Sequence, residues 1–283
     1  MAIDDLQRRA IREARMADAA TVAFQAELRR VFRRLTALLR ADLADWDVDE
    51  TGRTLTSVAN LARVFALRHS ARRLLRDAGF DALALAAVSD PLDELAVAIL
   101  RGAGASVRLG PNVADALTAW KELRLADLLD VGDDVARVLQ RIALDGTLGL
   151  RPIDRLILDV RDSLDVSLRQ ARTLYDTLVS TFARQVEVSL SSGEPDELFV
   201  YVGPVDEKAR PFCLDLIGKV RTRTAIDTLD NGQLPDVFVT GGGYQCRHLF
   251  KRVSLLDQEL IDIAGTEQRA PGIVTQLERL EAA

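Results

Sequence analysis

Three residues near the C-terminal end carry chemistry by type: Cys213, Cys246 and His248. Thiolate and imidazole both suit zinc, and a structural zinc site takes four ligands. Asp206 offers a fourth through a carboxylate oxygen. Cys246 and His248 stand two apart, so on a strand both side chains project to one face. That permits joint ligation without requiring it. Two other readings stand beside zinc. The cysteines can form a packed pair of thiols, reduced or oxidised, although a disulfide is out of place in a reducing compartment. They can also be small buried hydrophobes with no metal. A Cys246–His248 nucleophile and base is disfavoured, because such pairs usually come from separated segments and need a third, orienting group.

Neighbouring residues have simpler readings. Asp206 and Arg210 are four apart and are expected to form an ion pair that orders a loop. Gly241-Gly242-Gly243 lacks the lysine and the serine or threonine of a phosphate-binding loop, so tight turning beside Tyr244 is expected. Lys219, Arg221, Arg223, Arg247, Lys251 and Arg252 make a locally basic stretch. There Arg221, Arg223, Lys251 and Arg252 are candidates for contact with DNA phosphates, against a merely solvated face. His69 sits among arginines without a carboxylate or second ligand close in sequence, and reads as a surface or packing residue.

Taken in order, these residues form a string. It runs Gly203-Pro204-x-Asp206-x-x-x-Arg210-Pro211-Phe212-Cys213, Gly218-Lys219, Asp230-Asn231-Gly232-Gln233, and Gly242-Gly243-Tyr244-x-Cys246-Arg247-His248. The string resembles the C-terminal signature of tailed-phage minor head proteins, the phage head morphogenesis or Mu F-like family. The resemblance covers about residues 198–253 and a helical region ahead of them. It implies a low-copy capsid protein that acts with the portal and major capsid proteins in head assembly. It also implies a place in the virion, in the capsid interior or at the portal vertex, after synthesis in the host cytoplasm, with possible contact to packaged DNA.

The elements that must position these residues follow from composition and periodicity. Aromatics are only 5% of the chain and apolar residues 48%, so the core rests on Leu, Val, Ile and Ala, which suits packed helices. The net charge of −6 argues against a dedicated nucleic-acid binder, which usually has a basic domain. Two cysteines are too few for a disulfide framework. The acidic start lacks the apolar stretch of a signal peptide, and no window reaches the ~18 uninterrupted apolar residues of a membrane span.

A first helix is expected from about Asp4 to Leu43, with Phe24, Leu28, Val31, Leu35 and Leu38 as its apolar stripe. Its flanking arginines read as a solvated face. Asp47 to Gly52 reads as a turn, and Thr54 to Ala78 as a helix stopped by Gly79. Shorter helices are expected over Pro91–Leu100, ending at Gly102 and Gly104, then Asn112–Leu123, and Asp133–Leu144, ending at Asp145-Gly146. Pro152 marks a helix start. A last long helix spans Leu168 to Leu190, with Ala171, Leu174, Leu178, Phe182 and Val186 on one face. Ser191 to Pro195 is a junction, Leu198 to Val202 a short apolar strand, and Thr224 to Leu229 a helical turn. A helical tail starts near Leu256.

The expected fold is mainly α: an elongated helical N-terminal region over 1–193, a small α+β module over 194–255 that holds the Cys/His cluster, and a helical tail over 256–283. The expected function is a non-enzymatic phage or prophage minor capsid protein. Two alternatives remain: a metal-dependent hydrolase or nuclease that uses the Cys/His/Asp cluster, and a DNA-binding protein.

Overall fold

The computed structural model describes residues 3–103 and 111–282. Gly104 and the side chain of His69 lie outside the described residues. The elements are α1 (Ile3–Leu43), α2 (Val58–Asp77), α3 (Phe80–Val88), α4 (Asp90–Ala103), α5 (Pro111–Leu148), α6 (Ile153–Ser189), β1 (Leu198–Val202), α7 (Pro211–Leu216), β2 (Val220–Thr222), α8 (Arg223–Asp227), α9 (Val237–Thr240), β3 (Leu249–Arg252), α10 (Gln258–Asp262) and α11 (Pro271–Glu281). The chain is therefore mainly α, with a small α+β module near its C-terminal end. Among the described residues no helix is long and apolar enough to cross a membrane.

The chain divides into two compact units. One gathers residues 21–89 and 121–175. Its core is aliphatic, as the low aromatic content requires: Leu28, Leu35, Leu75, Leu128 and Leu139 are buried. Phe24 stacks on Tyr175 at 4.3 Å, and the Tyr175 hydroxyl donates to the Ala87 carbonyl at 2.9 Å. The stripe expected on α1 is buried at Phe24, Leu28, Val31 and Leu35, but continues through Leu39 rather than Leu38. A straight helix turns every 3.6 residues, so the buried line drifts off a strict heptad.

The expected pair of helices between Asn112 and Leu144 is one helix, α5, and the last long helix begins at Ile153. Two glycines within α5 are places of close approach. A methyl on Gly132 would meet Phe80 Cε1 at 2.8 Å, and one on Gly146 would collide with Leu156. Glycine inside a helix costs only about 1 kcal/mol relative to alanine, so tight packing outweighs the penalty.

The other unit gathers residues up to 20, then 90–120, and 176 onward. It contains a three-stranded sheet in the order β2-β1-β3, antiparallel throughout. Val200 pairs with Val220, and Tyr201 with Phe250. The central strand β1 is buried on both faces, which explains its unbroken apolar run Phe199-Val200-Tyr201-Val202. Ile3, Leu6 and Ala10 of α1 and Ile273 of α11 belong to the same core as the strands. The boundaries expected at 193 and 255 are therefore not boundaries of packing.

Candidate metal centre

Three local devices bring the thiols and the imidazole together. Pro211 opens α7 at a position where its missing N–H costs nothing, and Cys213 follows on the first turn. The glycine turn after α9 reverses the chain and delivers Cys246, with Gly241 and Gly243 at positive φ. His248 immediately precedes β3, so it and Cys246 lie just ahead of the strand rather than on it.

The two sulfurs lie 3.7 Å apart, and Cys246 Sγ lies 3.9 Å from His248 Nδ1. All three donor atoms fall within 4.8 Å of one another, and all three residues are buried. This group can hold a metal ion. The backbone N–H groups of Gly242 and His248 donate to Cys246 Sγ at 3.1 and 3.4 Å. On the far side of the imidazole, Nε2 lies 2.9 Å from the Pro204 carbonyl oxygen.

Tyr201 of β1 completes the cluster. Its hydroxyl lies 3.5 Å from Cys213 Sγ and 3.6 Å from Cys246 Sγ, and its ring stacks on His248. The thiol–thiol hydrogen bond pushes Cys213 up, and burial adds to this. The same bond holds Cys246 below the ordinary thiol range, against burial and with help from the Arg184 guanidinium. Burial raises the Tyr201 phenol well above its ordinary value.

The motif glycines are packed against this cluster. A methyl on Gly242 would collide with Cys213 Sγ, and one on Gly203 would fall 2.6 Å from the His248 ring. Arg184 of α6 is buried and donates from Nε to the His248 carbonyl at 2.9 Å, and from its other nitrogens to Val239 and Cys246 carbonyls.

The rest of the motif braces the loops. Gly203 exchanges two hydrogen bonds with the Gln7 side chain. Gly218 packs on Ile273. Asn231 Nδ2 donates to the Gly241 carbonyl at 2.8 Å, and its Oδ1 accepts from the Gln233 and Leu234 amides. Gly232 closes that turn on Asp230.

Several expectations are corrected. Asp206 does not join the group formed by Cys213, Cys246 and His248, and its carboxylate is instead held bidentately by Arg247. That pair, with its guanidinium hydrogen bond, keeps Asp206 below the usual carboxylate range. Arg210 does not pair with Asp206 either; it donates to Gln233 and to the Gly242 and Tyr244 carbonyls. Lys251 is no DNA contact, since it is buried between Glu13 and Glu187. Arg221, Arg223 and Arg252 are each paired with a carboxylate, of Glu267, Asp227 and Glu197 respectively. Lys219 is buried against Asp215 and Glu267.

Tyr201 and Arg184 were not singled out from sequence. Tyr201 is one hydroxyl in an apolar strand, and Arg184 lies 62 residues before Cys246, whose carbonyl it holds. The cavity bordering Cys246, His248 and Arg184 measures about 10 Å³. That is barely the room a single water needs.

The chain matches no family model, no curated protein and no solved structure.

Proposed function

We propose that this chain is a non-enzymatic minor head protein of a tailed phage or prophage, acting with the portal and major capsid proteins in head assembly. The observation that carries the reading is the convergence of the ordered motif string. Gly203, Pro204, Cys213, Gly242, Cys246 and His248 pack on one another, and Arg210, Asn231 and Arg247 brace the loops that carry them. Such a string reads as the specification of one rigid knot. A knot of this kind suits a docking module, which must present its surface loops in a fixed arrangement.

The burial of the cluster favours a clamp over a catalyst. A hydrolase or nuclease metal keeps an open coordination position for water or substrate, and a cavity of about 10 Å³ leaves no space for a substrate there. The cofactor that suits the cluster is zinc, from its thiolate and imidazole donors. Pairing of the basic side chains with carboxylates weakens the DNA-binding alternative, although packaged DNA remains a partner consistent with this setting.

Quantitative peptide mass spectrometry on purified, DNA-filled particles tests the reading. The expected result is a few copies per particle, surviving nuclease treatment and a density gradient. Absence of the chain beside abundant major capsid protein overturns residence in the virion.

A further inference from the structure

We propose that Tyr201 is the fourth donor of a closed zinc site with Cys213, Cys246 and His248. This deepens the zinc part of the reading above and rests on it only for the cluster being a clamp.

The distances carry the assignment. In a tetrahedral centre with bonds of about 2.3 Å to sulfur and about 2.0–2.1 Å to nitrogen or oxygen, donor atoms stand roughly 3.5–3.8 Å from one another. The sulfurs are 3.7 Å apart, and the phenol oxygen is 3.5 and 3.6 Å from them. A fourth edge, from Cys246 Sγ to His248 Nδ1, is 3.9 Å. These are four of the six edges of a tetrahedron close to metal-bound size, and the Cys213 Sγ–His248 Nδ1 edge falls within 4.8 Å. Asp206 is not among the donor atoms that converge here, and both its oxygens are engaged by Arg247.

The imidazole is set for the role. The Pro204 carbonyl can only accept, so Nε2 carries the proton and Nδ1 turns a bare lone pair toward the sulfurs. This is the usual support of a metal-bound histidine. Cys246 Sγ also receives two backbone N–H groups, which suit a thiolate better than a thiol.

Charge agrees with the assignment. Arg184 is buried, and its guanidinium meets three carbonyl oxygens but no carboxylate among the described residues. A buried cation is costly without a counter-anion. Two thiolates, one phenolate, a neutral imidazole and Zn²⁺ sum to minus one, which balances Arg184. Zinc binding then releases to solvent the protons that the two cysteines and the phenol still carry, with no change of oxidation state.

The test uses the full-length chain, purified without chelator. Plasma mass spectrometry is expected to find one zinc per chain. Zinc sulfate returned to the chelator-treated chain is expected to raise the near-ultraviolet absorbance of one tyrosinate per zinc. This difference spectrum is read on the unmodified protein, so it does not depend on any variant folding. Cobalt(II) in place of zinc is expected to give the intense visible bands of a tetrahedral site. Tyr201→Phe is expected to abolish the tyrosinate signal and weaken zinc affinity by at least about tenfold, while Asp206→Asn binds as tightly as the unmodified chain. Zinc bound with no tyrosinate signal overturns the assignment of Tyr201, as does loss of zinc in Asp206→Asn alone. Failure to bind zinc or cobalt at all overturns the whole site, and leaves the particle measurement above unaffected.

Discussion

His248 Nε2 lies 2.9 Å from the carbonyl oxygen of Pro204, and this contact decides which nitrogen of the ring carries the proton. A carbonyl has no hydrogen to give, so Nε2 must donate. Nitrogen-15 NMR of the full-length chain is expected to show His248 as the Nε2–H tautomer, with or without metal. A neutral His248 protonated on Nδ1 would sink the assignment.

Gly242 sits where the glycine turn crosses α7, and a methyl there would enter the Cys213 sulfur. Gly242→Ala is therefore expected to destabilise the chain by about 1–3 kcal/mol, the usual cost of overpacking a tight core. Gly102 is the comparison. It lies inside α4, and the nearest atom to an added methyl is the flexible Arg9 side chain at 3.4 Å. Gly102→Ala is expected to be neutral or to stabilise by up to ~1 kcal/mol through helix propensity. Thermal unfolding of both variants checks the pair; equal effects would contradict the packing of Gly242.

Lys251 of β3 is buried between Glu13 of α1 and Glu187 of α6. One lysine cannot neutralise two carboxylates. Burial pushes the Glu187 carboxyl from its ordinary 4.5 up to about 7, with Lys251 opposing and Glu13 adding to the rise. A raised folded-state value means that the native state holds a proton which the unfolded chain has lost. The stabilisation is fully present below about pH 4.5 and fades as pH rises toward 7. Its size is roughly 3 kcal/mol. Glu187→Gln keeps the Glu13–Lys251 pair and removes the titration. Denaturant unfolding at about pH 5 and about pH 8 is expected to show a steeper loss of stability in the unmodified chain than in Glu187→Gln. Parallel pH profiles would rule this out.

Much of the architecture was legible because periodicity is local. The α1 stripe and the β1 run are each readable from their own residues, and both elements form as expected. The reach of α5 through Gly146 was hidden because that glycine looks like a break until Leu156 is placed against it. The site was legible by side-chain type at Cys213, Cys246 and His248. Its surroundings were not. Asp206 and Arg210 are neighbours in sequence, but Arg210 turns to the Gly242 and Tyr244 carbonyls, whose loop needs donors, and Asp206 faces Arg247. Lys251 reads as basic surface until Glu13, 238 residues away, is brought against it.

Arg184 is the sharpest case of a residue whose role depends on distant chain. It crosses from α6 to the segment before β3 and satisfies carbonyls of Val239, Cys246 and His248 with one planar fork. Arg184→Lys keeps the charge, but a single ammonium on a flexible stem cannot span three acceptors set for a guanidinium. Arg184→Met removes both charge and donors. Each buried acceptor left without a partner costs about 1–3 kcal/mol. The methionine variant is therefore expected to lose at least about 3 kcal/mol, and the lysine variant less. If the guanidinium were merely filling space, methionine, similar in length and apolar, would be tolerated better than lysine. Thermal unfolding of the two variants separates the cases: lysine above methionine supports the hydrogen-bonding role, and the reverse order refutes it.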